Sequence, residues 1–325
     1  MRPRRPKVWF CCRALIDVVC HGDFPESITG LLRIKQTMQF FDIFLLETIL
    51  NGLLFGGVLA LLALGLNLIF GVIDVVWICY AELMMLGMYC VFFLHKVHGL
   101  PLFVAFGAAI VVVSVLGVLL HVLVIKPVLS GEPINQLLVT GGVLTLLQAA
   151  ATLMFGIDFR NLGVSMPSLV VGEISLPWSR IAAALTALVA MTGLYLFLKK
   201  TYLGTAIRAI SQDRAIMPLM GVNPAKIYLI TSAIGGALAG LGACLLVLQY
   251  DVHPAIGLSF GPLTFMVCVL GGLGNMLGGF IAAFIFAQLI SVGGFYFHLE
   301  WGYVMAFGFF IIMMFARPQG LLGSK

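Results

Sequence analysis

Charge is what this sequence has least of. Asp, Glu, Lys and Arg make up 10% of its 325 residues while 62% are hydrophobic, whereas a soluble domain carries about a quarter charged residues and nearer half apolar ones. Water is therefore not the main solvent of the folded chain. The seven cysteines (Cys11, Cys12, Cys20, Cys79, Cys90, Cys244 and Cys268) contain no Cys-x-x-Cys pair. Four of them sit in apolar stretches as small hydrophobes would, so neither a disulfide framework nor a cysteine metal site is expected. No phosphate loop of the form Gly-x-x-x-x-Gly-Lys-Ser/Thr occurs, and no His, Asp or Ser constellation stands at catalytic spacing. His95 and His98 could share a helix face, but no third ligand lies nearby. The sequence thus names no catalytic, cofactor-binding or metal residue.

What is there in quantity is long apolar sequence. Crossing a hydrocarbon core of ~30 Å takes roughly 20 helical residues at ~1.5 Å each. Apolar runs of that order lie near residues 43–70, 76–94, 102–125, 134–155, 181–198, 227–248, 263–289 and 301–315. They are apolar all round rather than alternating, which fits helices and not the strands of a closed barrel. The expected fold is all-α, a polytopic integral membrane protein with eight or nine transmembrane helices. The number turns on GGLGNMLGG, residues 271–279, in the middle of the seventh run, where glycine permits a break or re-entrant turn facing the interior.

The net charge of +5 reads as topology rather than as a nucleic-acid surface. Residues 199–226 carry five basic side chains (Lys199, Lys200, Arg208, Arg214 and Lys226) against Asp213 alone, which places that loop on the cytoplasmic side of the lipid bilayer. Residues 156–180 balance Arg160 and Arg180 against Asp158 and Glu173 and are expected outside, as irregular surface structure. The tail with Arg317 and Lys325 should be cytoplasmic, and parity then requires the break at 271–279. Counting back puts the residues before 43 outside, although seven basic residues lie there. The conflict disappears if residues 1–37 are an N-terminal extension outside the mature chain and residues 38–325 form the transmembrane domain. Arg13 interrupts the early apolar run, so the extension is a poor signal peptide.

Polar groups inside the runs are pathway candidates: Glu82, Asn51 and Asn275, with Asn67 and Gln148 beside them. An interfacial acid capping a helix start is the alternative for Glu82, and interhelical hydrogen bonding for the amides. The spacings Gly52/Gly56, Gly236/Gly240 and Gly274/Gly278 are small-xxx-small patterns that allow close helix approach.

The most informative stretch is KKTYLGTAIRAISQDRAIMPLMGVN, residues 199–223, which is too polar to span. Ala206, Ile210, Ala215 and Leu219 can form an apolar face, with Arg208, Gln212, Asp213 and Arg214 offering charge, so a short helix along the membrane surface is expected. LGTAIRAISQD followed by GVN, GALAGLGACLL, FMVCVLGGLGNMLGGFIAAF, the ending FARPQGLLG and the early ETILNGLLFGGVLALLALGLNLIFGVI together resemble the permeases of branched-chain amino acid ABC transporters, of the LivH type. The resemblance begins at Met38.

It implies a multi-pass protein of the bacterial inner (plasma) membrane that forms a translocation pathway for branched-chain amino acids or a related small polar solute. The implied partners are a second homologous permease, two cytoplasmic ATPase subunits that use the ATP, and an external substrate-binding protein. The matching positions Arg208, Asp213, Gly221 and Asn223 are those of an ATPase-docking loop. Pro218 stands where alanine is usual and is expected to end the docking helix early. Trp77 to Glu82 keep the family's acid but not its asparagine, histidine and glycine. The alternative function is a secondary transporter or channel, which would need ion-coupling carboxylates deep in the membrane.

A chain beginning at Met38 is expected to insert and to support uptake as well as the full chain. Loss of insertion by that shortened chain, or a peptide from residues 1–37 in the purified protein, would contradict the assignment of the extension.

Overall fold

A computed structural model describes residues 26–322 apart from 130, 165–167, 172–173 and 215. The expected extension lies outside the described residues up to residue 25 and is helical backbone from Glu26 onward. The chain divides into residues 1–46 and a compact unit of residues 47–325, and the packing below concerns the second unit.

Helix α1 covers Glu26–Ile73, and residues 74–79 that follow are not helical. Helix α2, Tyr80–Phe92, runs on through a π-helical turn, Phe93–Val97; α3, Leu102–Leu120, does the same through His121–Ile125 and ends at Val128. Next come α4 (Pro133–Phe155), a two-stranded antiparallel hairpin of β1 (Ser168–Val171) and β2 (Ile174–Pro177), and α5 (Trp178–Lys200). The short α6 (Tyr202–Gln212) and a 3-10 turn (Met217–Met220) lead into α7 (Pro224–Leu246), α8 (Ile256–Gly271), α9 (Met276–Tyr296) and α10 (Leu299–Ala316). Pro133 and Pro224 open their helices at a position where the missing amide has no intrahelical partner to lose.

Among the described residues, seven helices are long and apolar enough to cross a bilayer, while α8 and α10 are shorter apolar helices. The expected eight or nine are reached by counting those two. The glycine-rich stretch is a break, and it lies between two helices rather than within one. The run read as 263–289 is corrected accordingly: α8 already starts at Ile256, carries Pro262 inside it and stops at Gly271. Gly272 and Gly274 then take φ of 98° and 83°, a left-handed geometry open to glycine without a Cβ clash, and Asn275 caps α9. A second correction concerns residues 156–180, expected to be irregular, where the backbone pairs β1 with β2 in register from Ser168 opposite Pro177.

Residues 44–73 of α1 and helix α7 are largely buried, whereas α3, α4 and α5 expose most of their apolar surface. Polar satisfaction within each helix lets that surface face lipid or another membrane protein. Helices α3 and α7 pack closely over much of their length, and Gly236 and Gly240 make it possible: a Cβ on Gly240 would stand 2.9 Å from Ile110 Cα. On the other side of α7, Gly235 receives Ile69 and Gly242 receives Leu62 of α1. Gly52 and Gly56 face Ser291 and Phe284 of α9, where Ser291 Oγ donates to Thr48 O at 2.7 Å and Gln288 Nε2 to Ile49 O at 2.8 Å. Gly274/Gly278 is not a helix-face pair as expected. Gly274 lies in the turn against Gly71, and Gly278 lies against Gly271 O.

Two ends of the bundle follow from these contacts. The basic end gathers Asp74, the end of α5, α6, the 272–275 turn and the C-terminal segment, where Leu321 N donates to Leu270 O at 2.7 Å. At the opposite end Arg160 and Val252 form a two-way backbone bridge, and Asn161 Nδ2 donates to Asp251 Oδ1 at 2.6 Å.

Gly278→Ala is expected to lower stability by about 1–3 kcal/mol or more through overpacking against the Gly271 carbonyl. Gly308→Ala, where a Cβ meets nothing within 4 Å, should be neutral. Thermal unfolding of the purified protein checks the pair; equal midpoints would contradict the close approach of α8 and α9.

Candidate functional site

Two features of this bundle have no purely structural counterpart in a simple helical barrel: a charged ledge at the basic end and an interrupted helix inside.

The ledge is α6 with the turn after it. Thr201 caps α6, its Oγ1 accepting from Gly204 N at 3.0 Å, and satisfies one of the amides left open at any helix start. Gly204 sits against Phe197 and Leu198 of α5 so closely that no side chain fits. From there Ala206, Ile207 and Ile210 are buried and Arg208, Ser211 and Gln212 are exposed, which is the expected amphipathic surface helix. Its extent is corrected. Leu219, assigned to the apolar face, is 85% exposed, and Ala215 lies outside the described residues. The helix ends at Asp213, whose backbone turns extended, five residues before Pro218. That proline instead starts the 3-10 turn, where its fixed φ is compatible.

The four residues assigned to docking do different things. Arg208 is exposed. Asp213 Oδ1 accepts from Ile216 N at 3.2 Å and shapes the turn. Gly221 adopts φ 77° at the end of the 3-10 turn, and Asn223 caps α7 by accepting from Ala225 N at 3.0 Å. Three of the four, Asp213, Gly221 and Asn223, thus have a part in local backbone geometry. Behind the ledge a cavity of about 830 Å³ is lined by Lys199, Arg208, Arg214, Asp74, Asn67 and Asn275 among others. Arg214 pairs with Asp74 at 3.6 Å, linking the ledge to the end of α1. Both side chains are largely exposed, so the pair contributes little to stability. Asp74 itself has φ 61°, a left-handed conformation that Asp tolerates better than most residues.

The interruption is residues 74–79. Val75, Trp77 and Cys79 of this stretch are buried, and the non-helical backbone borrows a partner from α4, as Thr140 Oγ1 donates to Val76 O at 3.1 Å. Tyr80 then opens α2 with its hydroxyl donating to Gly235 O at 3.0 Å. Gly235 is eleven residues into α7, or ~16 Å from its start at ~1.5 Å per residue. The first turn of α2 therefore lies near the middle of the bundle. In that turn Glu82 is 0% exposed, and neither carboxylate oxygen has a hydrogen-bond partner. The interfacial reading of Glu82 is corrected: it is an interior acid. The start of the run, read as residue 76, is corrected to Tyr80.

The amides Asn51, Asn275 and Asn67 each make a hydrogen bond between segments. Asn51 Oδ1 accepts from Arg180 Nη1 at 2.9 Å, tying α1 to α5. Asn275 accepts from Gly278 N at 3.1 Å and donates to Leu322 O at 2.7 Å, so it caps α9 and holds the tail while lining the cavity. Asn67 Oδ1 accepts from Gly274 N at 3.3 Å. His95 and His98 each turn Nδ1 to a backbone carbonyl, of Leu100 and Phe93. Asp74, Tyr80 and Thr140 were not singled out from the sequence. A Thr or Tyr hydroxyl that reaches a carbonyl on another helix leaves no local pattern, although an acid directly after an apolar run is a readable end signal.

A family model described as "Branched-chain amino acid transport system / permease component" matches residues 48–314. The chain is 30% identical over 293 residues to the high-affinity branched-chain amino acid transport system permease protein BraD of Pseudomonas aeruginosa, covering 86% of this chain and 95% of BraD. To the permease protein LivH of the same-named system in Escherichia coli it is 28% identical over 300 residues, covering 86% and 96%. To LivM, also a permease protein of that system in Escherichia coli, it is 26% identical over 286 residues, covering 81% and 67%. With the match running from the core of α1 into α10, through both the ledge and the interrupted helix, this multi-pass membrane protein belongs to the family of branched-chain amino acid transport system permease components.

Proposed function

We propose that the chain is the membrane-spanning permease subunit of an ATP-driven importer for branched-chain amino acids, working beside a second homologous permease. Two ATPase subunits dock on the α6 ledge from the cytoplasm of a bacterial cell, and an external binding protein delivers substrate to the opposite end. The observation that carries this reading is the ledge: a short helix whose apolar face is sealed onto the bundle and whose polar face, with Arg208, projects from it. A surface of that kind offers a partner charge and a rigid lever at once. The excess of Lys and Arg at that end supports the cytoplasmic orientation. Family membership supports the substrate class, and the similarity to both LivH and LivM supports a pair of related permeases. The absence of a phosphate loop from the sequence supports ATP use by separate subunits.

The rival reading, a self-sufficient secondary transporter, gains one observation from the interior position of Glu82, since such transporters keep carboxylates at depth. The two readings part at the ledge, which a self-sufficient carrier does not need.

Arg208→Glu reverses an exposed charge without touching the bundle core. It is expected to reduce co-purification of the ATPase subunits and leucine uptake at least tenfold, with the amount of inserted protein unchanged. Asp213→Arg should act in the same direction. Uptake and ATPase association equal to the native protein in both variants would remove the docking assignment.

A further inference from the structure

Glu82 poses a physical problem that the fold does not solve. Removing a carboxylate from water without a donor is expensive, several kcal/mol even after relaxation. Here the side chain is fully buried, and both oxygens lack a partner. The ion pair found among the described residues, Arg214 with Asp74, lies at the basic end and does not reach it. The helix dipole favours an acid in the first turn of α2, but only by about 0.3–1 kcal/mol at an ordinary site, which does not replace hydrogen bonds.

The surroundings are shaped around this carboxyl group. Across from it is Gly257 in the first turn of α8, where a Cβ would collide with both Glu82 oxygens, and one turn on Gly261 packs on Ala81. Gly257 is fourteen residues, ~21 Å at ~1.5 Å each, from the end of α8 at the basic end. The acid therefore sits well inside a ~30 Å core. At this level two glycines of α8 meet Glu82 and Ala81 of α2. Leading into α2 is the non-helical 74–79 stretch, in which Ile78 is 38% exposed between buried Trp77 and buried Cys79. The same stretch starts at Asp74, which Arg214 of the ledge holds at 3.6 Å.

We propose that Glu82 is the acceptor for the ammonium group of an amino-acid substrate, reached when α2 and α8 separate. A primary ammonium supplies the three donors and the positive charge that the carboxylate lacks in this arrangement. A branched aliphatic side chain attached to it matches the apolar walls formed by α2 and α8. The specificity is for the ammonium rather than for the carboxylate of the substrate. This inference rests on the reading of the chain as an amino-acid permease.

The test uses the complete importer, purified with its partner subunits. Glu82→Gln keeps the shape and removes the charge, and Glu82→Asp keeps the charge. With Glu82→Gln, leucine transported per ATP hydrolysed should fall at least tenfold while basal ATP hydrolysis by the partner subunits stays within error and the thermal midpoint is unchanged or higher, because a costly buried charge is removed; Glu82→Asp should restore most of the transport. In thermal-shift measurements, millimolar isopentylamine should stabilise the native complex but not Glu82→Gln, and 4-methylpentanoate, which has no ammonium, should stabilise neither. A purely structural role would lower the midpoint and basal hydrolysis in Glu82→Gln and Glu82→Asp alike, and would overturn the proposal. So would unchanged leucine transport in Glu82→Gln, no shift with isopentylamine, or an equal shift with 4-methylpentanoate. If the native complex imports no leucine at all, it is the amino-acid permease reading that fails, which separates the two outcomes.

Discussion

Hydrocarbon offers no hydrogen-bond partner, so wherever the helical ladder stops inside this bundle, protein must take over. Residues 74–79 are the clearest case. Their backbone leaves α1, passes half-buried between helices and takes a hydroxyl from Thr140 of α4 before Tyr80 anchors the new helix on the Gly235 carbonyl. The 272–275 turn obeys the same constraint by a different route. It sits at the end of the bundle, where Asn67, Asn275 and the returning C-terminal segment supply the missing partners. Both interruptions meet at α1, since Asp74 ends it and Gly71 lies against Gly274.

That arrangement needs helices to come unusually close, and glycine is what allows it. Lipid gives no hydrophobic force between helices, so dispersion at short range and shared hydrogen bonds do the work. Glycines of α7 face both α1 and α3, which makes α7 the shared wall of the interior. The outer helices α3, α4 and α5 keep large apolar surfaces for lipid or for a second permease. The result is a closely packed inner layer carrying one unpartnered acid, surrounded by a layer adapted to membrane neighbours.

Composition and run length were enough to read the all-α membrane class, because both report directly on the solvent. The amphipathic α6 was legible for the same reason: its buried Ala206 and Ile210 follow the helical period. The start of α2 was not legible. Residues 75–81, VVWICYA, carry no charge, and nothing local distinguishes a buried irregular stretch from a buried helix when neither meets water. The true place of Glu82 was hidden likewise, because an acid close to the end of an apolar run usually marks an interface. Only the packing of α8 and α7 on that turn makes it an interior group. The small-xxx-small spacings were legible as close contacts but not as to which partner they face, and Gly274 shows that the spacing persists where no helix does.

If the bundle is driven from the α6 end by separate ATPase subunits, then transport must depend on ATP on that side and on nothing else. Leucine uptake into proteoliposomes holding the complete importer, with ATP supplied only to the face bearing α6, measures this directly. Uptake should require ATP on that face, vanish when ATP is given only on the other, and persist after proton and sodium gradients are dissipated. Uptake that continues without ATP and collapses with an ion gradient would contradict it.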